Sequence, residues 1–196
     1  MNSDGVCGLC AAGLTRYDAA YAYGDYDGAL RDLIHLFKYH RMRALARPLG
    51  RLVTRALPRD QVFDAIVPMP IHWRKLLSRG FNQSQLLAGE VARRTGLPVA
   101  ACLRRKRNAR AQAGLSGKQR RANVAGAFFV PQDSRPKGQR LLLIDDVFTT
   151  GATANAAATT LKRAGAARVS VLTLARTDRL SGFQVVRIAD GMERSD

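Results

Sequence analysis

A chain of 196 residues and 21.4 kDa, with 46% hydrophobic and 24% charged residues, is long enough for one ordinary domain and too apolar to stay disordered. Its 32 Lys and Arg against 15 Asp and Glu leave a net charge of +17, an excess that calls for an anionic partner: a polyphosphate ligand, nucleic acid or a membrane surface. No uncharged apolar run approaches the roughly 20 residues of a membrane span, and Met1-Asn2-Ser3-Asp4 opens without a basic then apolar leader, so a cytoplasmic protein is expected.

Cys7 and Cys10 form one CxxC, half of a zinc site that needs four ligands. Cys102 falls in an apparent core strand, and His35, His40 and His72 show no ligand spacing. Two free thiols on a turn are the expected reading, with a zinc ion shared across a dimer as the alternative. Tyr17 to Tyr23 alternates in a strand-like way before the turn at Gly24 to Asp27. A helix follows from about Gly28 to Lys38, with Asp27 as N-cap and Leu30, Leu33, Ile34 and Phe37 on one face. A second helix has Pro48 near its start and turns Leu49, Leu52, Val53 and Ala56 to the core.

Phe63 to Pro70 reads as a short strand stopped by two prolines, and its exit loop, Ile71 to Gln83, holds Arg74, Lys75, Arg79, Asn82 and Gln83. In a doubly wound sheet this loop emerges at the carboxyl edge, where its basic residues either grip pyrophosphate or face solvent. Asn82 to Thr95 reads as a helix closed by Gly96, and Val99 to Leu103 as a strand. From Val91 through Gln132 there are ten basic residues and no acid. Gln112, Gly114, Ser116 and Gly117 loosen that stretch, and Ser116 caps a short helix through Asn123. It suits a lid closing over pyrophosphate or a track along a nucleic-acid backbone, and composition alone does not separate the two. Ala127 to Val130, Arg168 to Ala175 and Val185 to Ala189 complete the strands.

The chemistry is concentrated in Leu141 to Thr153, reading LLLIDDVFTTGAT. Four apolar residues make a buried strand, Asp145 and Asp146 follow, and Thr149, Thr150, Gly151, Ala152 and Thr153 lead into a helix from Ala154 to Ala164 that Gly165 ends. A helix N-terminus at the carboxyl edge of a sheet favours a phosphate, and hydroxyls with a glycine suit close approach to it. Paired carboxylates repel phosphate but accept hydrogen bonds from vicinal hydroxyls. Together they predict one sugar phosphate held at both ends. No GxxxxGK[ST] run supports a P-loop.

This stretch resembles the signature of the type I phosphoribosyltransferases, which bind phosphoribosyl pyrophosphate (PRPP). The resemblance extends to the ComF family, associated with DNA uptake in natural competence. It rests on Tyr23-Gly24, the helix with Leu30, Arg31, Leu33, Ile34 and Lys38, Val67-Pro68-Met69-Pro70, Arg79-Gly80-Phe81-Asn82-Gln83, and Gln112, Leu115, Arg120, Arg121 and Asn123 with Ala127-Phe128. It implies an α/β type I phosphoribosyltransferase fold, a mainly parallel twisted sheet with helices on both faces. The domain would span residues 17 to 176, after a remnant CxxC segment (1 to 16) and before an edge strand and polar tail (177 to 196).

The resemblance places the ribose hydroxyls on Asp145 and Asp146 and the 5′-phosphate on the loop of Val147, Phe148, Thr149, Thr150, Gly151, Ala152 and Thr153. Pro68, Met69, Arg74, Arg79 and Asn82 become the pyrophosphate contacts, and Arg110 and Arg121 join the acids as catalytic candidates. Mg²⁺ is expected with PRPP, bridging its oxygens without a dedicated protein cage. Family members typically carry two CxxC pairs as a zinc ribbon, which makes Cys7 and Cys10 the candidate zinc ligands. The implied partners are PRPP, single-stranded DNA, competence proteins and a second copy of the chain. The resemblance supplies no acceptor, for which residues 17 to 60 are the candidate hood. The rival readings are a single-stranded DNA-binding competence factor with PRPP as regulator or vestige, and a nucleotide-salvage transferase.

Overall fold

The run Arg140–Phe148 forms a nine-residue strand at the middle of the fold, with Leu141, Leu142, Leu143 and Ile144 fully buried. Continuous apolar sequence needs cover on both faces, and a parallel sheet between helices provides it. The computed structural model describes residues 15–106, 126–177 and the backbone of 184–185. In chain order the elements are β1 (Ala19–Asp25), α1 (Gly28–Tyr39), a 3-10 turn (Arg43–Leu45), α2 (Ala46–Arg55), β2 (Ala65–Pro68), α3 (Trp73–Arg79) and α4 (Gln83–Thr95). There follow β3 (Arg104–Arg105), β4 (Phe128–Phe129), a 3-10 turn (Gln132–Ser134), β5 (Arg140–Phe148), α5 (Ala152–Arg163), β6 (Arg168–Arg176) and β7 (Gln184–Val185).

The main sheet has the order β2-β5-β6-β1-β7 and every pairing in it is parallel. Because side chains alternate along a strand, β5 feeds two cores. Leu141 and Leu143 pack with Val169, Val171 and the alanine-rich face of α5, including Ala157, Ala158 and Leu161. Leu142 and Ile144 pack with Leu172, Leu174, Ile34 and Phe37 of α1, Leu49 and Val53 of α2, and Leu87 and Val91 of α4. Truncating any of these buried leucines to alanine costs about 2–5 kcal/mol. Among the described residues no helix is long and apolar enough to cross a membrane.

Several sequence expectations change. The strand read as four residues runs to nine, because β6 continues to pair beyond the end of β2: Asp145 lies opposite Thr173, Val147 opposite Ala175 and Phe148 opposite Arg176. The two acids are therefore strand residues standing past Pro68, the last residue of β2. The segment read as an exit loop contains α3, which buries none of its residues although Trp73, Leu76 and Leu77 recur at helical spacing. His72 caps α3 by accepting from the Arg74 N–H (3.3 Å), and Gly80 ends it at φ +79°. Val99 to Leu103 makes a single bridge, Val99 to Ile66, instead of a strand; the chain then leaves β2 and pairs Arg104–Arg105 with β4. The edge pairing near the C-terminus is Gln184–Val185 against β1, and the rest of Val185 to Ala189 lies outside the described residues, as does the helix expected from Ser116 to Asn123.

Candidate ribose and anion site

Where β5 ends, the chain turns through Thr149 and Thr150 and enters α5 at Gly151, whose φ of +71° is the left-handed conformation that glycine adopts freely. Space also demands glycine, since a Cβ there would strike Phe148 Cζ at 2.7 Å. Phe148 is itself held edge-on to Tyr17, with ring centroids 5.9 Å apart. The first intrahelical bond of α5 runs from the Asn155 N–H to the Gly151 carbonyl (2.8 Å), so the N–H groups of Ala152, Thr153 and Ala154 precede any i to i−4 bond. The Thr150 hydroxyl reaches the Ala152 N–H only at 3.5 Å. Asp145, Val147, Phe148, Thr149, Gly151 and Thr153 line one pocket in front of this helix end, a space of about 300 Å³ open to solvent.

The two acids diverge. Asp145 lines the pocket, accepts from the Ser84 hydroxyl at 3.0 Å, and accepts from the Asp146 N–H at 2.9 Å. Its pKa is raised to about 7, first by burial and then by the neighbouring Asp146 carboxylate, against the pull of those two donors and of Lys38. Asp146 points toward α1 and pairs with Lys38 at 2.9 Å, both side chains largely shielded from solvent.

Three cations, Lys38, Lys75 and Arg105, act on these acids, and Arg79 stands close enough to Lys75 to repel it. Lys38 comes from the end of α1, Lys75 and Arg79 from α3, and Arg105 from β3. Lys75 is exposed on α3, yet partial desolvation by its neighbours, with repulsion from Arg79, Arg105 and Lys38, pushes its pKa down against the pull of Asp146. Burial lowers Arg105 as well, offset by Asp145. Two buried donors here have no acceptor, Arg105 Nε and Gln83 Nε2. Cations that repel one another beside unsatisfied donors fit a missing polyanion.

Of the residues expected to grip pyrophosphate, Pro68 ends β2 and Met69 continues past it, donating to the Ile144 carbonyl at 2.9 Å. Asn82 serves the fold: its amide donates to the Met69 carbonyl (3.0 Å) and accepts from the Ser84 N–H (3.1 Å), capping α4. Arg79 donates to Gln83 (3.2 Å) and lies over the Tyr39 ring, while the exposed Arg74 lies over Trp73. Arg110, Arg121, Cys7 and Cys10 lie outside the described residues. Sequence reading passed over Lys38 and Ser84 as site residues, and it counted Lys75 and Arg105 only as members of basic runs. Lys38 stood in the matching helix, yet nothing local marks a lysine that meets an acid on a distant strand.

Among the described residues no group of three or more His, Cys, Asp and Glu could hold a metal. The acid pair offers hard oxygens, which suits a Mg²⁺ that takes its remaining ligands from substrate and water.

Residues 82–189 match the phosphoribosyl transferase domain family. Competence protein F of Haemophilus influenzae is 33% identical over 180 residues, covering 87% of this chain and 78% of the relative. DNA utilization protein YhgH of Escherichia coli is 33% identical over 178 residues, with the same coverage, and competence protein ComFC of Bacillus subtilis is 28% identical over 164 residues, 81% of this chain and 63% of that one. Among solved structures, an adenine phosphoribosyltransferase from Thermoanaerobacter pseudethanolicus matches at 16% identity and a TM-score of 0.44, over 70% of this chain and 83% of that one.

Proposed function

The chain belongs to the ComF family of phosphoribosyl transferase domain proteins, and on that premise we propose that it binds PRPP with Mg²⁺ at the carboxyl ends of β5 and β2 and serves DNA uptake in the cytoplasm. The observation that carries this reading is the shared pocket, in which Asp145 faces one space with Thr149, Gly151 and Thr153 at the tip of α5. The 5′-phosphate takes the free N–H groups and threonine hydroxyls of the turn. The ribose hydroxyls donate to the acids, and the pyrophosphate lies toward Lys38, Lys75, Arg79 and Arg105. Arg110 and Arg121 stand as further contacts to the leaving group, from a segment adjoining β3.

Asp145 would stand beside a Mg²⁺ that arrives with PRPP and takes its ligands from substrate and water, and the ion would supply charge neutralisation to the pyrophosphate. Departure of pyrophosphate leaves an oxocarbenium-like ribose, and the chain's part is to position it and to stabilise charge: cations on the leaving group, carboxylates beneath the ring. The transferase step needs an acceptor beside the anomeric carbon, and pyrophosphate release across a panel of nucleobases is the assay for it.

Calorimetric titration with PRPP, with and without Mg²⁺, tests the binding. A saturable heat that Mg²⁺ strengthens is expected, and no heat in either condition would remove the reading.

A further inference from the structure

Only six of the 32 basic residues in this chain are lysines, and the distinction decides which of them can react. A guanidinium keeps its proton and is no nucleophile, whereas a lysine amine crowded by other cations gives its proton up more readily and becomes one. Two of the described lysines are held by carboxylates. Lys38 pairs with Asp146 at 2.9 Å and is largely shielded from solvent, and Lys162 pairs with Asp18 at 2.6 Å.

Lys75 is placed differently. It lies exposed on α3 and takes part in no ion pair among the described residues. Arg79 follows it by four residues, which on a helix sets the two side chains on one face. Arg105 of β3 and Lys38 of α1 act on it from two further elements, so cations reach this amine from three parts of the fold. Asp146, the acid that acts on it, is already engaged by Lys38. Desolvation and this repulsion lower its pKa and enlarge the share of neutral amine at a given pH.

The cations that weaken the ammonium also select what the amine meets. Arg79 is steadied over the Tyr39 ring at 5.3 Å and Arg105 over the Phe128 ring at 5.4 Å, and the Nε of Arg105 has no acceptor. Fixed guanidiniums suit a small phosphoryl group. When that group carries an acyl substituent, an electrophilic carbonyl and a nucleophile are held at one place, which is how proximity accelerates a two-body reaction.

We infer that Lys75 is an acylation site whose donor is an acyl phosphate: Arg79 and Arg105 hold the phosphate and the Lys75 amine receives the acyl group. The Nζ lone pair attacks the carbonyl carbon, and the bond from that carbon to the phosphate oxygen breaks. Phosphate departs with the bonding electrons, and the proton shed by Nζ passes to water. The products are an Nζ-acyl lysine and inorganic phosphate, with no oxidant or reductant consumed. The amide removes one cation from the surface toward which the pyrophosphate lies, so acylation turns PRPP binding down. That consequence rests on the reading of the crevice as a PRPP site, whereas the acyl transfer does not.

The test is peptide mapping by mass spectrometry of the full chain treated with acetyl phosphate at pH 8. Lys75 should be acetylated at least about tenfold faster than Lys137, an exposed lysine before β5. Inorganic pyrophosphate should slow Lys75 at least about fivefold and leave Lys137 unaffected. Arg79→Gln should slow the reaction of Lys75 with acetyl phosphate more than its reaction with N-acetoxysuccinimide, which has no phosphate to hold. The inference is overturned if Lys75 reacts no faster than Lys137, if pyrophosphate leaves its rate unchanged, or if Arg79→Gln slows both reagents equally. Calorimetry of the acetylated chain with Mg²⁺ and PRPP should show affinity at least about fivefold below that of the untreated chain. The same treatment of Lys75→Arg, which has no amine to acylate, should produce no such drop, and undiminished affinity in the acetylated wild type would overturn the regulatory consequence. Selective acetylation of a chain that gives no PRPP heat before treatment would uphold the acyl site and refute the PRPP reading instead.

Discussion

The two edges of the sheet treat their acids in opposite ways. At the amino edge Asp64 receives the backbone N–H and guanidinium of Arg140, with its closest contact at 2.7 Å, and this holds its pKa down to about 2. Asp18 likewise accepts from Lys162 (2.6 Å) and from the Val169 N–H (2.7 Å), pinning the start of β6. Where β2 and β5 end, Asp145 is pushed up to about 7 beside Asp146, and the cations around them repel one another. One edge has satisfied its charges and contributes stability. The other pairs Asp146 with Lys38 yet keeps cations that repel one another, a surplus that a polyanion would satisfy.

The contrast breaks most sharply at Gly151. Gly151→Ala must hold a left-handed φ and push Phe148 aside, so the helix tip loses its place against the phosphate. PRPP affinity by calorimetry should fall by roughly 100-fold, the equivalent of one or two charge-assisted hydrogen bonds, while circular dichroism stays native.

A smaller effect is expected at Lys38. Lys38→Met removes a cation from the crevice and the influence that holds the Asp145 pKa down, so Asp145 retains its proton to higher pH. PRPP affinity should drop about tenfold, in the range measured for loss of one charged partner. The pH at which affinity is half developed, near 7 in wild type, should move upward; Lys38→Arg should restore both.

Asp145→Asn separates stability from function. A carboxyl whose folded pKa lies above its unfolded value holds its proton more tightly when folded, so stability declines as pH rises from about 4 toward 7 and the cost is complete above that. The amide keeps the acceptor for Ser84 and for the Asp146 N–H and carries no charge. At pH 8 the variant should melt a few degrees higher than wild type, with a gain of about 2–4 °C per kcal/mol for a domain of this size, and it should bind PRPP less well.

The smallest change belongs to the amino edge. Asp64→Asn should lower the melting temperature slightly at neutral pH and leave PRPP affinity untouched. Because the folded pKa is depressed, the wild-type advantage is present above about pH 4 and disappears as pH falls through about 2. A melting series from pH 7 to pH 2 shows whether the two proteins converge.

Much of this was legible in residue order. LLLIDDVFTTGAT yields strand, acids, turn and helix because each step depends on local chemistry, and Asn82, Gly96 and Gly165 mark helix ends for the same reason. The length of β5 was not legible, since paired acids read as loop, and only the reach of β6 past β2 keeps them in a strand. α3 escaped because its apolar residues, Trp73, Leu76 and Leu77, span little more than one turn, too short a run to establish a period. The meeting of Lys38 with Asp146 and of Ser84 with Asp145 depends on how α1 and α4 cross the end of β5, which is a property of packing rather than of any window of sequence.

The most direct test of the crevice is the Mg²⁺-PRPP dissociation constant of Asp145→Ala/Asp146→Ala against wild type, measured by calorimetry at pH 8. Loss of both carboxylates should weaken binding by at least about 100-fold, as two charge-assisted contacts require. Affinity within about twofold of wild type, a difference of about 0.4 kcal/mol, would show that the acids do not hold the ribose and would contradict the account.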